Sequence, residues 1–260
     1  MKRNAIVLLT AIAAIGCDKE KETVYPVIND YPLAIGNEWT YDRQVIVIKY
    51  ESSTSDNIVE KDTVDFLVNV KIERDTVMND TMHLFVFKTE ETGNSWIGRE
   101  YKYKDDEGLK IYAFSTGSLY GNCFHKFGYT LPHGRKYKKK DGILVIEDKP
   151  NLEYQLPLTL NSKWTFSNLG ELIANQINKK VIGAERINAM SRDFECYKVQ
   201  WEYLPDSLFR GLKVSEWIAG EGLIKRMIIS DRVEFFDSEG YPLEGSYQIT
   251  ETLLIKGFSL

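Results

Sequence analysis

Residues 64–72 read Val64-Asp65-Phe66-Leu67-Val68-Asn69-Val70-Lys71-Ile72, with an apolar side chain at every even-numbered position. Successive side chains of a strand point to opposite faces, so these apolar residues share one face, while Asp65, Asn69 and Lys71 lie on the other. The pattern predicts a strand with one buried face.

Similar strand-like runs recur along the chain, at residues 45–50, 82–88, 100–104, 109–114, 143–146, 197–203, 223–229 and 246–255. Turn-forming residues separate many of them, at 79–80, 105–108, 141–142 and 237–240. Residues 171–180 fit a helix loosely and a strand equally well. The sequence therefore predicts an all-β or β-rich protein with few helices.

An internal repeat organises the chain. Tyr31-Pro32-Leu33-Ala34-Ile35-Gly36-Asn37-Glu38-Trp39-Thr40-Tyr41 recurs as Leu156-Pro157-Leu158-Thr159-Leu160-Asn161-Ser162-Lys163-Trp164-Thr165-Phe166, with proline and tryptophan seven residues apart in both copies. Weaker echoes pair residues 70–74 with 182–186 and 108–111 with 222–225. We expect two related β-rich halves, 31–150 and 151–260, which combine into one large antiparallel curved sheet or incomplete barrel.

Each copy of the motif has a local structural explanation. Proline fixes φ, the Gly36-Asn37 or Asn161-Ser162 pair makes a tight turn, and the tryptophan opens the next strand with its ring in the core. This interpretation needs no ligand.

The composition is that of a globular protein. Among 260 residues, 43% are hydrophobic and 12% aromatic, which excludes a disordered chain. Lys and Arg number 33 against 38 Asp and Glu, a net charge of −5, which argues against a nucleic-acid partner.

The first 16 residues are typical of a secretion signal. Lys2 and Arg3 precede an apolar stretch at 5–15, which is too short for the roughly 17–25 residues of a transmembrane helix. Ala14-Ile15-Gly16-Cys17 resembles the lipobox of bacterial lipoproteins, which implies that Cys17 becomes a lipidated N-terminus and anchors the protein to a membrane. The alternative is ordinary signal cleavage, which would leave Cys17 as a free thiol.

Residues 17–30 follow as the lipidated cysteine and a charged tether. The acidic stretch after Cys17 looks like the surface-export signal of Bacteroidota lipoproteins, which implies attachment to the outer membrane. In enterobacteria, Asp18 would instead favour the inner membrane. The side of the envelope therefore depends on the organism.

Two cysteines remain, Cys123 and Cys196. A disulfide between them would close a loop of about 73 residues and would stabilise the fold by about 4 kcal/mol. The alternative is a buried thiol.

The repeat motif, together with Phe194-x-Cys196-x-x-Val199 and the run from Trp217 to Lys225, resembles a group of bacterial lipoproteins for which no activity is known. By fold-level analogy, that group is similar to periplasmic lipid carriers, in which a curved sheet covers an apolar cavity. The resemblance implies an envelope protein whose partner is an apolar ligand or another envelope protein.

Catalytic and metal-binding motifs are weak. Ser118 is misplaced within residues 117–121 for a nucleophile elbow, and Cys123, His125 and His133 offer at most three metal ligands. His83 alternates with apolar neighbours, as an exposed or hydrogen-bonded strand residue would. The carboxylate pairs at 90–91 and 105–106 lie in polar, turn-like stretches.

We therefore predict no catalytic residues, no metal and no cofactor. The basic run at 135–140 fits an edge strand protected by lysines, with contact to anionic headgroups as the alternative. Three functions remain open: a non-enzymatic binding or structural lipoprotein, a carrier of apolar ligands, and a hydrolase or glycan-active enzyme with an unrecognised site.

Overall fold

The computed structural model describes residues 25–78, 80–93, 97–115, 117–119, 135–139, 142–168, 176–203, 211–233 and 244–260. All thirteen named elements in these ranges are β-strands, and they form one antiparallel sheet in the order β6-β7-β5-β4-β3-β2-β1-β13-β12-β11-β10-β9-β8. The β-rich fold class is therefore confirmed.

The strands have the following bounds: β1 Glu38–Tyr50, β2 Ile58–Met78, β3 Met82–Glu91, β4 Ile97–Asp105, β5 Gly108–Ser115, β6 Arg135–Lys139, β7 Gly142–Gln155, β8 Lys163–Asn168, β9 Gln176–Ala189, β10 Arg192–Tyr203, β11 Leu212–Ala219, β12 Gly222–Val233 and β13 Ser246–Ser259. The sequence-predicted runs all fall within these strands or begin them. The ambiguous stretch at 171–180 contributes its last residues to β9, while residues 171–175 lie outside the described part.

The sheet curves until its two ends approach each other. The indole Nε1 of Trp164 in β8 donates a hydrogen bond to the carbonyl oxygen of Leu152 in β7, at 3.0 Å. Next to this contact, Ile28 bridges to Leu158 in an isolated antiparallel pair. The concave face of the sheet therefore encloses an interior, where Trp39, Ile72 and other large apolar side chains pack into the main core.

The two copies of the repeat motif make the same backbone hydrogen bonds. Gly36 N donates to Ile72 O at 2.9 Å, and Asn161 N donates to Val181 O at 3.0 Å. Ile72 N and Val181 N return bonds to Asn37 O and Ser162 O, at 2.8 and 2.9 Å. Gly36 and Asn161 both adopt positive φ, as the turns require.

These equivalences relate the turn before β1 to the turn before β8, and the division into two halves stays a prediction. In these bonds Ile72 has the role in the first copy that Val181 has in the second. The sequence echo of residues 70–74 in 182–186 instead aligns Ile72 with Ala184. Strands β1 to β5 and β7 follow the same order as β8 to β13, and the halves join where β1 pairs with β13.

Because all neighbours are antiparallel, the connections sort into two ends of the molecule. The tether end, as we call it, carries the entering segment 25–37, the hairpin tips at 78–82, 105–108, 189–192 and 219–222, and the C-terminus. The opposite, far end carries the connection from β1 to β2 and the first residues of β7.

Candidate functional site

The candidate site is a cavity inside the curved sheet. Its volume is about 40 Å³, room for roughly three water molecules. Aromatic and ionisable side chains dominate its wall. The aromatic residues are Tyr31, Trp39, Tyr41, Phe87, Tyr154, Phe166 and Trp201. The acidic and basic residues are Glu100, Lys102, Glu153, Lys179, Glu216 and Arg226.

Lys102 of β4 holds two carboxylates. Its Nζ lies 2.7 Å from Glu100 Oε2 and 2.7 Å from Glu153 Oε2, and it sits 4.7 Å from the centre of the Phe87 ring. Burial by itself lowers the pKa of Lys102, but the two carboxylates outweigh it, so that the pKa is raised above its ordinary value. Lys102 is therefore a charged structural cation.

Lys179 of β9 has a similar environment on the other side of the cavity. Its Nζ donates to Glu216 Oε2 at 2.8 Å, and both side chains are almost fully buried. The Nζ also lies 4.4 Å from the ring centre of Phe166 and 4.9 Å from that of Trp201. Trp201 Nε1 donates to the same Glu216 oxygen at 3.2 Å, so this carboxylate is held by two donors.

A third group of charges extends the cavity network toward β1. Arg43 donates to Glu91 at 2.6 Å and makes a second short ion pair with Glu251. Glu251 Oε1 also lies 3.5 Å from Arg226, which lines the cavity. The interior therefore contains three neighbouring sets of ion pairs. Together we call them the interior ionic cluster: Arg43, Lys102, Lys179, Arg226, Glu91, Glu100, Glu153, Glu216 and Glu251.

The interior ionic cluster contains four cations and five carboxylates, an excess of one negative charge when all are ionised. Glu153 is the carboxyl whose environment compensates for this excess. Burial raises its pKa, and the carboxylate of Glu100 adds to the rise, while Lys102 acts in the opposite direction. Protonation of Glu153 would leave the cluster neutral.

We expect Glu153→Gln to leave the folding stability unchanged or to increase it above pH 7. Because the folded pKa is raised, the unfolded chain loses this proton first as pH rises, and folding stability declines until the folded carboxyl has also ionised. The glutamine variant lacks this decline, so its stability relative to the unaltered protein should be higher at pH 8 than at pH 5. Urea denaturation at pH 5 and pH 8 measures the difference. Glu90→Gln, in an exposed pair with Lys88, is the control and should leave the pH dependence unchanged.

Two buried tyrosines complete the wall. Tyr41 donates its hydroxyl to Leu223 O at 3.0 Å, and Tyr154 stacks on Tyr31 with ring centres 5.9 Å apart. Burial raises the pKa of both phenols well above their ordinary value, with nearby charged or phenolic groups adding to the rise. Both hydroxyls are therefore neutral donors over the physiological range.

The sequence-predicted site residues are not brought together at this cavity. Cys17, Cys123, His125 and His133 lie outside the described residues, so the lipid site, the disulfide and the three-ligand metal group stay predictions. His83 is exposed on β3, as expected. Cys196 is buried, its Sγ lies 3.5 Å from Phe194 O, and burial raises the pKa of its thiol to about 12.

Sequence reasoning missed the interior ionic cluster. Glu100 and Lys102 alternate with Tyr101 and Tyr103, which we would read as a polar outer face and an aromatic inner face. Glu91, assigned to a polar turn, instead ends β3 with its side chain on Arg43. The sequence did offer one signal for the cluster, which is that charged residues alternate with other residues inside long strands.

Two searches of the described residues were negative. In the ranges given above, no group of three or more His, Cys, Asp or Glu side chains is arranged to hold a metal ion. Nor does any helix in that part of the chain combine the length and the apolar character needed to cross a bilayer.

Comparison with known proteins gives little. No protein-family model matches the chain, and no curated protein matches it. One solved structure similar to this chain is that of a candidate exported protein with a YmcC-like fold from Bacteroides fragilis, at 9% sequence identity and a TM-score of 0.38. The match covers 90% of this chain and all of the other.

Proposed function

We propose that the protein is an envelope lipoprotein, anchored to the outer membrane through Cys17, which acts as a non-enzymatic binding or structural module. The filled interior of the sheet is the observation that supports a non-enzymatic binding or structural role. The cavity of about 40 Å³ is well below the roughly 300–1,000 Å³ of small-molecule sites. Its charged groups are engaged with one another, which favours a stabilising role over a reactive one.

The same observation argues against the carrier hypothesis. An acyl chain needs a long apolar cavity, but this wall carries six ionisable side chains, and inserting a lipid would desolvate them. Native mass spectrometry of the purified protein is the direct test. A co-purifying lipid of stoichiometric amount would favour the carrier over the module.

The enzyme hypothesis receives limited support from the carboxylates that converge on Lys102. General acid–base catalysis needs a group that can reach a substrate, whereas Glu100 and Glu153 both contact a buried ammonium. We therefore place the functional surface of the module on the outside of the sheet.

The lipid anchor has a decisive test. Cys17→Ser should move the protein from the membrane fraction to the soluble fraction, because a serine cannot form the thioether to diacylglycerol. Globomycin should block processing of the unaltered chain, and mass spectrometry of the N-terminal peptide reports the modification. Cys123→Ser is the control and should stay with the membrane. Unchanged fractionation of Cys17→Ser would contradict the anchor.

A further inference from the structure

Five of the ten large apolar side chains that are exposed in the described part of the chain lie at the tether end of the sheet. Val27 is 81% exposed, Ile35 56%, Val77 50%, Met190 41% and Leu260 54%. Antiparallel pairing places all of them at this end, on the entering segment, on two hairpin tips and at the C-terminus. Single exposed apolar residues are ordinary, but five that share one end need an explanation.

The path of the entering segment fixes this end relative to Cys17. Tyr25 stacks on Tyr197 with ring centres 6.4 Å apart, and Ile28 pairs with Leu158. Eight residue steps separate Cys17 from Tyr25, a reach of at most about 29 Å. Strand β1 has 13 residues and spans about 43 Å between the two ends. A lipid on Cys17 therefore keeps the tether end nearer the bilayer than the far end.

Charge decides which kind of membrane contact fits. The hairpin tips at this end carry Asp80, Asp106, Glu107 and Glu221, of which Glu107 and Glu221 pair with Lys110 and Arg192. The tips therefore present no excess of positive charge that would attract anionic headgroups. Strand β6 pairs with the first residues of β7, and Lys139 and Gly142 lie toward the far end. Residues 135–139 are thus badly placed for headgroups near Cys17, so we infer an apolar contact.

We propose that the tether end is a membrane-docking surface, in which Val27, Ile35, Met190 and Leu260 enter the interfacial region of a zwitterionic bilayer and hold the sheet upright on it. This rests on the proposed lipid anchor at Cys17. Amphipathic surfaces insert their apolar side chains about 5–10 Å into the boundary between headgroups and acyl chains, and the anchor supplies the proximity. The far end, with the connection from β1 to β2, then faces away from the membrane.

The test uses two positions of matched exposure at opposite ends. Ile35 is 56% exposed at the tether end, and Ile58 is 58% exposed at the start of β2, at the far end. In a full-length, lipidated Cys123→Ser background, Ile35→Cys and Ile58→Cys are labelled with bimane. The proteins are reconstituted into phosphatidylcholine–phosphatidylethanolamine vesicles that contain lipids brominated near the headgroup.

We expect quenching at position 35 to exceed that at position 58 by about threefold or more, because the range of the bromine matches the depth of interfacial insertion. Equal quenching, stronger quenching at 58, or none at either position would overturn the docking surface. Mass analysis of the N-terminal peptide separates the two proposals. An unmodified Cys17 defeats the anchor and the docking surface together, whereas lipidated protein without preferential quenching defeats the docking surface alone.

Discussion

Arg43→Met should destabilise the protein by about 5 kcal/mol, a large part of the total stability of a typical domain. The Arg43 side chain is 1% exposed and is the shared partner of Glu91 and Glu251. Methionine retains the apolar stem but leaves two carboxylates with less compensation in a medium of low dielectric constant. Arg226, 3.5 Å from Glu251, offsets only part of the loss. Urea denaturation monitored by tryptophan fluorescence measures the change.

The control lies on the same two strands. Asp42 and Lys256 form an ion pair at 2.9 Å between β1 and β13, with both side chains more than half exposed. Lys256→Met should cost less than about 1 kcal/mol, because water screens this pair. Adding Glu91→Gln and Glu251→Gln to Arg43→Met should recover much of the lost stability, since the burial of unpaired charge is then removed. Equal costs for Arg43→Met and Lys256→Met would contradict the argument.

The hydrophobic alternation in β2 shows what the sequence could and could not predict. Alternation in residues 64–72 predicts the strand and its inward face correctly: Val68, Val70 and Ile72 are buried. Val64 is nevertheless 42% exposed, and residues 58–65 are exposed along their whole length. Alternation therefore identifies which side chains share a face, but it carries no information on whether another part of the chain covers that face.

The interior ionic cluster was beyond sequence reasoning for a related reason. A lysine or glutamate is rarely buried unless it is paired, so a charged position is read as solvent-facing. Lys179 and Glu216 are 37 residues apart, and Arg43 and Glu251 are 208 apart. Arg43 and Glu251 lie on the neighbouring strands β1 and β13, and Lys179 and Glu216 lie on β9 and β11, which flank β10. The pairing of strands that are distant in sequence brings these side chains together, and periodicity along one strand does not encode that pairing. The turns at Gly36 and Asn161 and the buried rings of Trp39 and Trp164 agree with the local interpretation of the motif.

Stability should fall steeply as pH rises above about 10, by at least roughly 4 kcal/mol per pH unit. Tyr41, Tyr154 and Lys102 are buried in the interior, and all three have a folded pKa above the unfolded value. Their contribution to stability is complete below the unfolded pKa. Above it, the unfolded chain releases three protons that the folded protein retains, so each group favours unfolding by about 1.4 kcal/mol per pH unit until it ionises in the folded state.

Two measurements made together test whether the ionisation of buried groups causes this loss of stability. Near-ultraviolet absorbance reports phenolate formation, and far-ultraviolet circular dichroism reports the sheet; the buried phenols should ionise only as the sheet unfolds. Tyr154→Phe removes one of these groups and should reduce the slope of stability against pH by about 1.4 kcal/mol per pH unit, whatever its effect on stability at pH 7. Tyr25→Phe, at a half-exposed ring, is the control and should leave the slope unchanged. Smooth ionisation of every tyrosine while the sheet stays folded would mean that water reaches the cavity freely, and that the cluster is more hydrated than its burial indicates.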